Sequence, residues 1–167
     1  MKKLFLIRHA KSSWDDASLP DEERPLNKRG KKDAPLMGAL LHKQGVTPDL
    51  IISSPAKRAF STAKKMAKEL NYPKDHIQTF DKLYLSSPAA LLEVIQSQPA
   101  EVRTLLLFGH NPELTQLVSQ LCDQPVDSIP TSGVVCISFQ ADSWQKIAAN
   151  NSRFDFFDYP KKHKEPS

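Results

Sequence analysis

Cysteine is scarce in this chain: Cys122 and Cys136 are the only two among 167 residues. Two thiols cannot build a disulfide framework, and such sparing use suits a reducing compartment. No His-x-x-x-His or Cys-x-x-Cys spacing occurs, so neither a metal nor another cofactor is expected. No apolar run approaches the ~20 residues of a membrane-spanning helix. The first apolar stretch, Leu4 to Ile7, is cut off by Arg8, short of the roughly 7–15 apolar residues of a secretory leader. A cytoplasmic location and no membrane partner are therefore expected. Basic residues form no long block and are not interleaved with aromatics, which argues against nucleic acid despite a net charge of +4. There is no repeat, low-complexity segment or linker. The expectation is a single domain over residues 1–160, monomeric, followed by a basic tail, 161–167, read as a solvated end.

Hydrophobic residues at 40% and charged residues at 25% are the balance of a globular protein. Short apolar runs alternate with helix-period stretches. Strands are predicted at 3–7, 50–52, 77–80 (an edge), 104–108, 134–139 and 154–159. Helices are predicted at 28–43, 88–96 and 113–121, with a short one at 143–149. Asn27 is a candidate cap for the first helix, although Pro35 predicts either a kink or a late start. Ser54-Pro55 reads as an N-cap followed by proline at the first position of a helix carrying Ala59, Ala63, Met66, Ala67 and Leu70. Alternation of β and α predicts a mostly parallel, doubly wound sheet with helices on both faces, a three-layer α/β/α sandwich. Phe154, Phe156 and Phe157 alternate too poorly for their faces to be assigned.

In such sheets ligands bind beyond the carboxyl ends of the strands. Arg8-His9-Ala10-Lys11 follows the first strand, Ser53-Ser54-Pro55-Ala56-Lys57-Arg58 the second, and Gly109-His110-Asn111-Pro112 the strand at 104–108. If these strands are parallel neighbours, two arginines and two histidines meet on one rim, a composition suited to a phosphoryl group. A neutral imidazole can attack phosphorus and form phosphohistidine, and a second histidine can stabilise the transferring oxygens. A lone histidine at a strand end is more often a hydrogen-bonded structural residue, but four such groups at three strand ends are harder to dismiss. The Thr131-Ser132-Gly133 turn either adds a hydroxyl to this rim or is a plain turn. Trp14 is either a wall at the pocket mouth or a loop anchor. Cys122 and Cys136 read as packed, and His42 and His76 as exposed.

These segments carry a family resemblance. Leu6-Ile7-Arg8-His9-Ala10-Lys11 resembles the Arg-His-Gly box of the histidine phosphatase (phosphoglycerate mutase-like) superfamily, with Ala10 in place of glycine. Arg24-Pro25-Leu26-Asn27-Lys28-Arg29-Gly30 resembles the lead into that family's first helix. The segment from Ser53 to Ala63 resembles its second phosphate-binding segment, and Gly109-His110-Asn111-Pro112 its late histidine motif. Order and spacing agree over roughly residues 3–140, and the short chain with its Arg-His-Ala-Lys-Ser-Ser-Trp opening is most similar to the SixA-type phosphohistidine phosphatases.

The resemblance implies His9 as nucleophile, with Arg8, Arg58 and His110 lining the phosphate pocket. Lys11 and Ser12 are further candidates for substrate contact. The implied substrate is a phosphorylated protein, such as a histidine phosphotransfer domain, or a small phosphorylated metabolite; a non-catalytic phosphoanion-binding module is the alternative of another class. Many members carry a glutamate general acid where this chain reads Asp81-Lys82-Leu83-Tyr84-Leu85, so that position falls near Tyr84. A substitute acid has candidates in Glu113 and in the acidic loop, which holds Asp15, Asp16, Asp21, Glu22 and Glu23 and otherwise reads as a solvated loop.

Overall fold

A computed structural model describes residues 1–124 and 126–164. Six strands, β1 (Lys2–Arg8), β2 (Leu50–Ser53), β3 (Gln78–Thr79), β4 (Thr104–Gly109), β5 (Val134–Phe139) and β6 (Ser152–Asp158), form one sheet in the order β3-β2-β4-β1-β5-β6. The four strands from β3 to β1 run parallel; β5 is antiparallel to β1 and to β6. Four helices, α1 (Lys28–Lys43), α2 (Lys57–Glu69), α3 (Pro88–Gln96) and α4 (Glu113–Leu121), cover the two faces in pairs.

Strand side chains alternate between the two layers. Leu4, Leu6, Leu105, Leu107, Val135 and Ile137 pack beneath α3 and α4, against Leu91, Val94, Leu114, Leu117 and Val118. Phe5, Ile7, Leu106, Phe108, Val134 and Cys136 face the other way, against Met37 and Leu41 of α1 and Ala63, Met66 and Ala67 of α2. Each large buried side chain contributes about 1.5–3 kcal/mol of transfer free energy. This double layer is what fixes the ends of β1, β2 and β4 as neighbours on one rim.

Three local expectations are corrected. Pro35 does not delay α1, which starts at Lys28 and runs through it to Lys43; Asn27 caps the helix by accepting from the Gly30 amide at 2.8 Å. The second helix starts two residues later than expected. It begins at Lys57 with Ala56 in the cap position, and the Ser54 hydroxyl, ahead of the helix, accepts from the Ala56 amide and bonds His110. The segment predicted as a short helix at 143–149 is only a 3-10 turn over Trp144–Lys146.

The poorly alternating phenylalanines have a physical cause. The register of β5 against β6 shifts between Cys136, opposite Phe156, and Ile137, opposite Phe154, leaving Asp155 as an extra, bulged residue. Phe154 and Phe157 thus pack on the α3–α4 core and Phe156 on the α1–α2 core. Cys136 is buried in the core and Cys122 at the end of α4, while His42 and His76 are exposed. Within the basic tail, Lys164 reaches the buried Asp33 at 2.8 Å and His163 reaches Asp158 at 2.6 Å; residues 165–167 lie outside the described residues. No helix among the described residues is long and apolar enough to cross a membrane.

Candidate active site

The ends of β1, β4 and β2 bring Arg8, His9, His110 and Arg58 together. Arg8 lies opposite Gly109 in the parallel register, so His9 and His110 leave adjacent strands at the same level. Their rings lie 5.2 Å apart between centroids. His9 and His110 are 8% and 7% exposed. Arg58 enters from the first turn of α2, buried among the same groups.

His9 is held by its backbone and by one ring nitrogen. Its amide donates to the Gly109 carbonyl, and Nδ1 lies 2.8 Å from the Ala10 carbonyl. A carbonyl only accepts, so Nδ1 carries the proton and Nε2 presents a lone pair. The Ala10 amide donates to Thr62 Oγ1 at 2.9 Å, and that hydroxyl donates to the Arg58 carbonyl at 2.8 Å, joining the loop after β1 to α2. Burial lowers the His9 pKa to about 4; the bond to Ala10 opposes this, and the charges of Arg58, Arg8 and Arg24 add to it. The imidazole is therefore neutral at ordinary pH, as a nucleophile must be.

His110 is neutral for related reasons. Burial first, then His9 and Arg58, lower its pKa to about 3, with Asp21 opposing. Its Nε2 lies 2.8 Å from Ser54 Oγ, which accepts from the Ala56 amide at 3.2 Å. With that amide as donor, the Ser54 hydroxyl proton is free to go to Nε2, leaving Nδ1 as the N–H. His110 Nδ1, Arg8 Nε and Ser132 Oγ are buried polar atoms without a hydrogen-bond partner in the protein. Ser132 sits at φ 62°, and its amide bonds the carbonyls of Arg8 and His9 at 3.1 Å each. Three unpaired donors around one neutral imidazole, with the Arg58 guanidinium beside them, suit a tetrahedral oxyanion.

Three further residues meet at the mouth. The Asp21 carboxylate receives Arg58 at 2.9 Å, Arg24 at 3.0 Å and the Tyr84 hydroxyl at 2.6 Å. Arg58 also donates to the Asp21 carbonyl at 2.8 Å. The Tyr84 hydroxyl, followed by Arg58 and Arg24, holds the Asp21 carboxyl well below the usual carboxylate range, although burial opposes it. The Tyr84 ring stands edge-on to His110 at 5.6 Å. Arg24 stacks on Trp14, 3.2 Å from its ring centroid, so the exposed Trp14 supports an arginine.

The acidic loop is thus not wholly solvated, since Asp21 is drawn into the cationic cluster. Ser12 reaches the cluster indirectly, its hydroxyl accepting from Arg24, whereas Lys11 is exposed. Glu113 lies in the first turn of α4, with burial pushing its carboxyl up. The sequence offers Asp21 as a candidate acid and Tyr84 near the family's acid position, but not the bond between them, nor the parts of Arg24 and Ser54 at the site. The available signal was the Arg24-Pro25 pair just ahead of a capped helix; nothing in the spacing joins it to Tyr84.

The sequence model described as "Histidine phosphatase superfamily (branch 1)" matches residues 4–84. An uncharacterized chloroplastic protein of Arabidopsis thaliana is 30% identical over 156 residues, covering 89% of this chain and 71% of its own length. The phosphohistidine phosphatase SixA of Escherichia coli is 27% identical over 158 residues, covering 89% of this chain and 95% of its own. The structure of the protein histidine phosphatase SixA complexed with tungstate superimposes with a TM-score of 0.83 at 25% identity, covering 97% of this chain and 99% of that one. The family model, the relatives and the shared fold agree, and the chain belongs to the histidine phosphatase superfamily, as a SixA-like phosphatase of branch 1.

Proposed function

We propose that this phosphatase removes the phosphoryl group from phosphohistidine on a protein, by way of a phosphohistidine formed on His9. Nε2 of the neutral His9 attacks phosphorus as the phosphorus–nitrogen bond to the substrate imidazole breaks. Arg8, Arg58 and His110 bind the phosphoryl oxygens, and the Ser132 hydroxyl has a bond to give. Water then attacks phospho-His9, phosphate leaves, and Nε2 regains its lone pair. Lys11 and Ser12 remain candidates for outer contacts with the substrate, Ser12 through Arg24.

The observation that carries the choice of substrate is the state of Asp21. Its carboxyl reaches the cluster, and Tyr84, Arg58 and Arg24 hold it ionised. An ionised carboxylate has no proton to give a leaving alkoxide. A phosphorylated imidazole whose other nitrogen is protonated leaves as a neutral molecule and needs no acid from the enzyme. The Asp21 side chain, 47% exposed, also marks the mouth as open to solvent, which suits a phosphorylated side chain presented on a protein such as a histidine phosphotransfer domain.

The test is a quench experiment with a radiolabelled phosphohistidine protein. Phosphohistidine survives alkali and is lost in acid. Alkali-stable label on the enzyme, absent in His9→Ala, together with released phosphate, is the expected result. Equal or greater kcat/KM on a sugar phosphate would overturn the substrate assignment, and absence of both label and phosphate release would overturn the reaction.

A further inference from the structure

The outer face of α2 carries a row of lysines that form no ion pair among the described residues. The helix has no acidic residue before its last, Glu69, whose side chain lies against Gly38 of α1. Arg58 turns inward to the site, and Ala59, Thr62, Ala63, Met66 and Ala67 are buried. Lys57, Ser61, Lys64, Lys65 and Lys68 fall at helical spacing on the opposite side. Beyond the helix, Lys74 completes a concavity of about 480 Å³ lined by Ser61, Lys64, Lys65, Lys68, Tyr72 and Lys74. No carboxylate lines it.

Lys82, Lys146 and Lys164 each hold a carboxylate. Among the described residues, none of the four lysines lining the concavity forms an ion pair. Lys64 instead lies 5.0 Å from the ring of the half-buried Phe60, one turn back along the helix. Lys64 and Lys68, at i and i+4, repel each other, and so do Lys65 and Lys68 at i and i+3. The stripe from Lys57 to Lys68 runs about 16 Å at ~1.5 Å per residue. It starts beside Arg58, so a protein that presents a phosphorylated side chain to His9 necessarily lies close to its upper end.

We infer that this lysine face is a docking surface for an acidic patch on the phosphoprotein substrate, whose carboxylates enter the concavity. The inference rests on the reading that the substrate is a protein. Docking charges of this kind act on encounter and on its salt dependence more than on the chemical step. A phosphoryl group on a small molecule reaches His9 without touching them.

The experiment compares the full chain with a Lys64→Glu/Lys65→Glu/Lys68→Glu variant on two substrates, a phosphorylated histidine phosphotransfer protein and phosphoimidazole. At roughly 50 mM salt the variant is expected to lose at least about tenfold in kcat/KM on the protein, carried by KM, and nothing on phosphoimidazole. The gap closes toward about 0.5 M salt, where screening shortens to a few ångströms. A control, Arg103→Glu/Lys146→Glu, near the opposite end of the sheet, stays within about twofold of the parent on both substrates. Equal rates for parent and triple variant on the protein at low salt overturn the docking surface and leave the reaction standing. So does an equal loss on both substrates, which marks structural damage. If the parent hydrolyses small phosphate esters but not the phosphoprotein, the substrate reading fails and the docking inference fails with it.

Discussion

Replacing His9 by asparagine should make the protein less sensitive to acid, even as it abolishes turnover. Asparagine keeps an N–H where Nδ1 donates to Ala10 and has no proton to gain. In the parent, burial and three arginines lower the His9 pKa from 6.5 to about 4. The sign follows from proton counting. Below pH 6.5 the unfolded chain takes up a proton at His9 that the folded chain refuses until about pH 4. Stability is therefore full above the unfolded value and is lost as pH falls through this window. The whole displacement is worth about 3 kcal/mol at ~1.36 kcal/mol per unit. Roughly 2–3 kcal/mol of it is gone by about pH 4.5. His110, lowered to about 3, undergoes its own loss in both proteins; His9 is one of the groups lowering it, so its removal leaves the variant less to lose there and acts in the same direction. Urea unfolding at about pH 7 and about pH 4.5 should show His9→Asn gaining roughly 2–3 kcal/mol on the parent across that interval. Curves that stay parallel within about 0.5 kcal/mol would refute the account of a neutral, desolvated His9.

Asp21→Asn frees Arg58 from a competing carboxylate. With a pair that is open to solvent on its Asp21 side worth ~0.2–1 kcal/mol, the inhibition constant for inorganic phosphate should fall up to about fivefold. A rise would show instead that Asp21 positions Arg58. Ser54→Ala leaves His110 Nε2 and the Ala56 amide without their partner, and should cost about 1–3 kcal/mol in urea unfolding along with a lower kcat. A kcat equal to the parent's would confine Ser54 to packing. In Gly30→Ala the new Cβ would lie 2.1 Å from the Lys11 carbonyl oxygen, a backbone atom, so the loop after β1 must shift. A loss of at least about 1–3 kcal/mol is expected, and an unchanged melting temperature would contradict that close approach.

The layers were legible because Leu4-Phe5-Leu6-Ile7 and Leu105-Leu106-Leu107-Phe108 are apolar on both faces, as buried parallel strands must be. Asn27 was legible as a cap because its side chain acts only three residues along the chain. The four residues at strand ends were legible because a parallel sheet collects whatever follows its strands. Asp21 and Tyr84 obey no such rule. They lie 63 residues apart in sequence, in segments without periodicity, and meet only because Arg58 draws the acidic loop across the mouth. Ser54 misled because a serine before proline has two uses. Its hydroxyl can start a helix or hold a histidine on the next strand, and only the tertiary structure decides. The β6 bulge was hidden for a similar reason, since one extra residue on one strand is defined by the register of the other.

That bulge also bears on how the molecule meets other copies of itself. β6 is an outer strand, and a straight outer strand offers a row of free amides and carbonyls to any strand that passes. Here the row is interrupted at Asp155, which turns inward to accept from Ser138 and Cys136 and pairs with Arg153 at 2.8 Å. At the far side of the sheet, β3 is only two residues long, Gln78–Thr79. One margin is kinked and charged and the other is too short to guide pairing, so neither is a good template for edge-to-edge growth into aggregates.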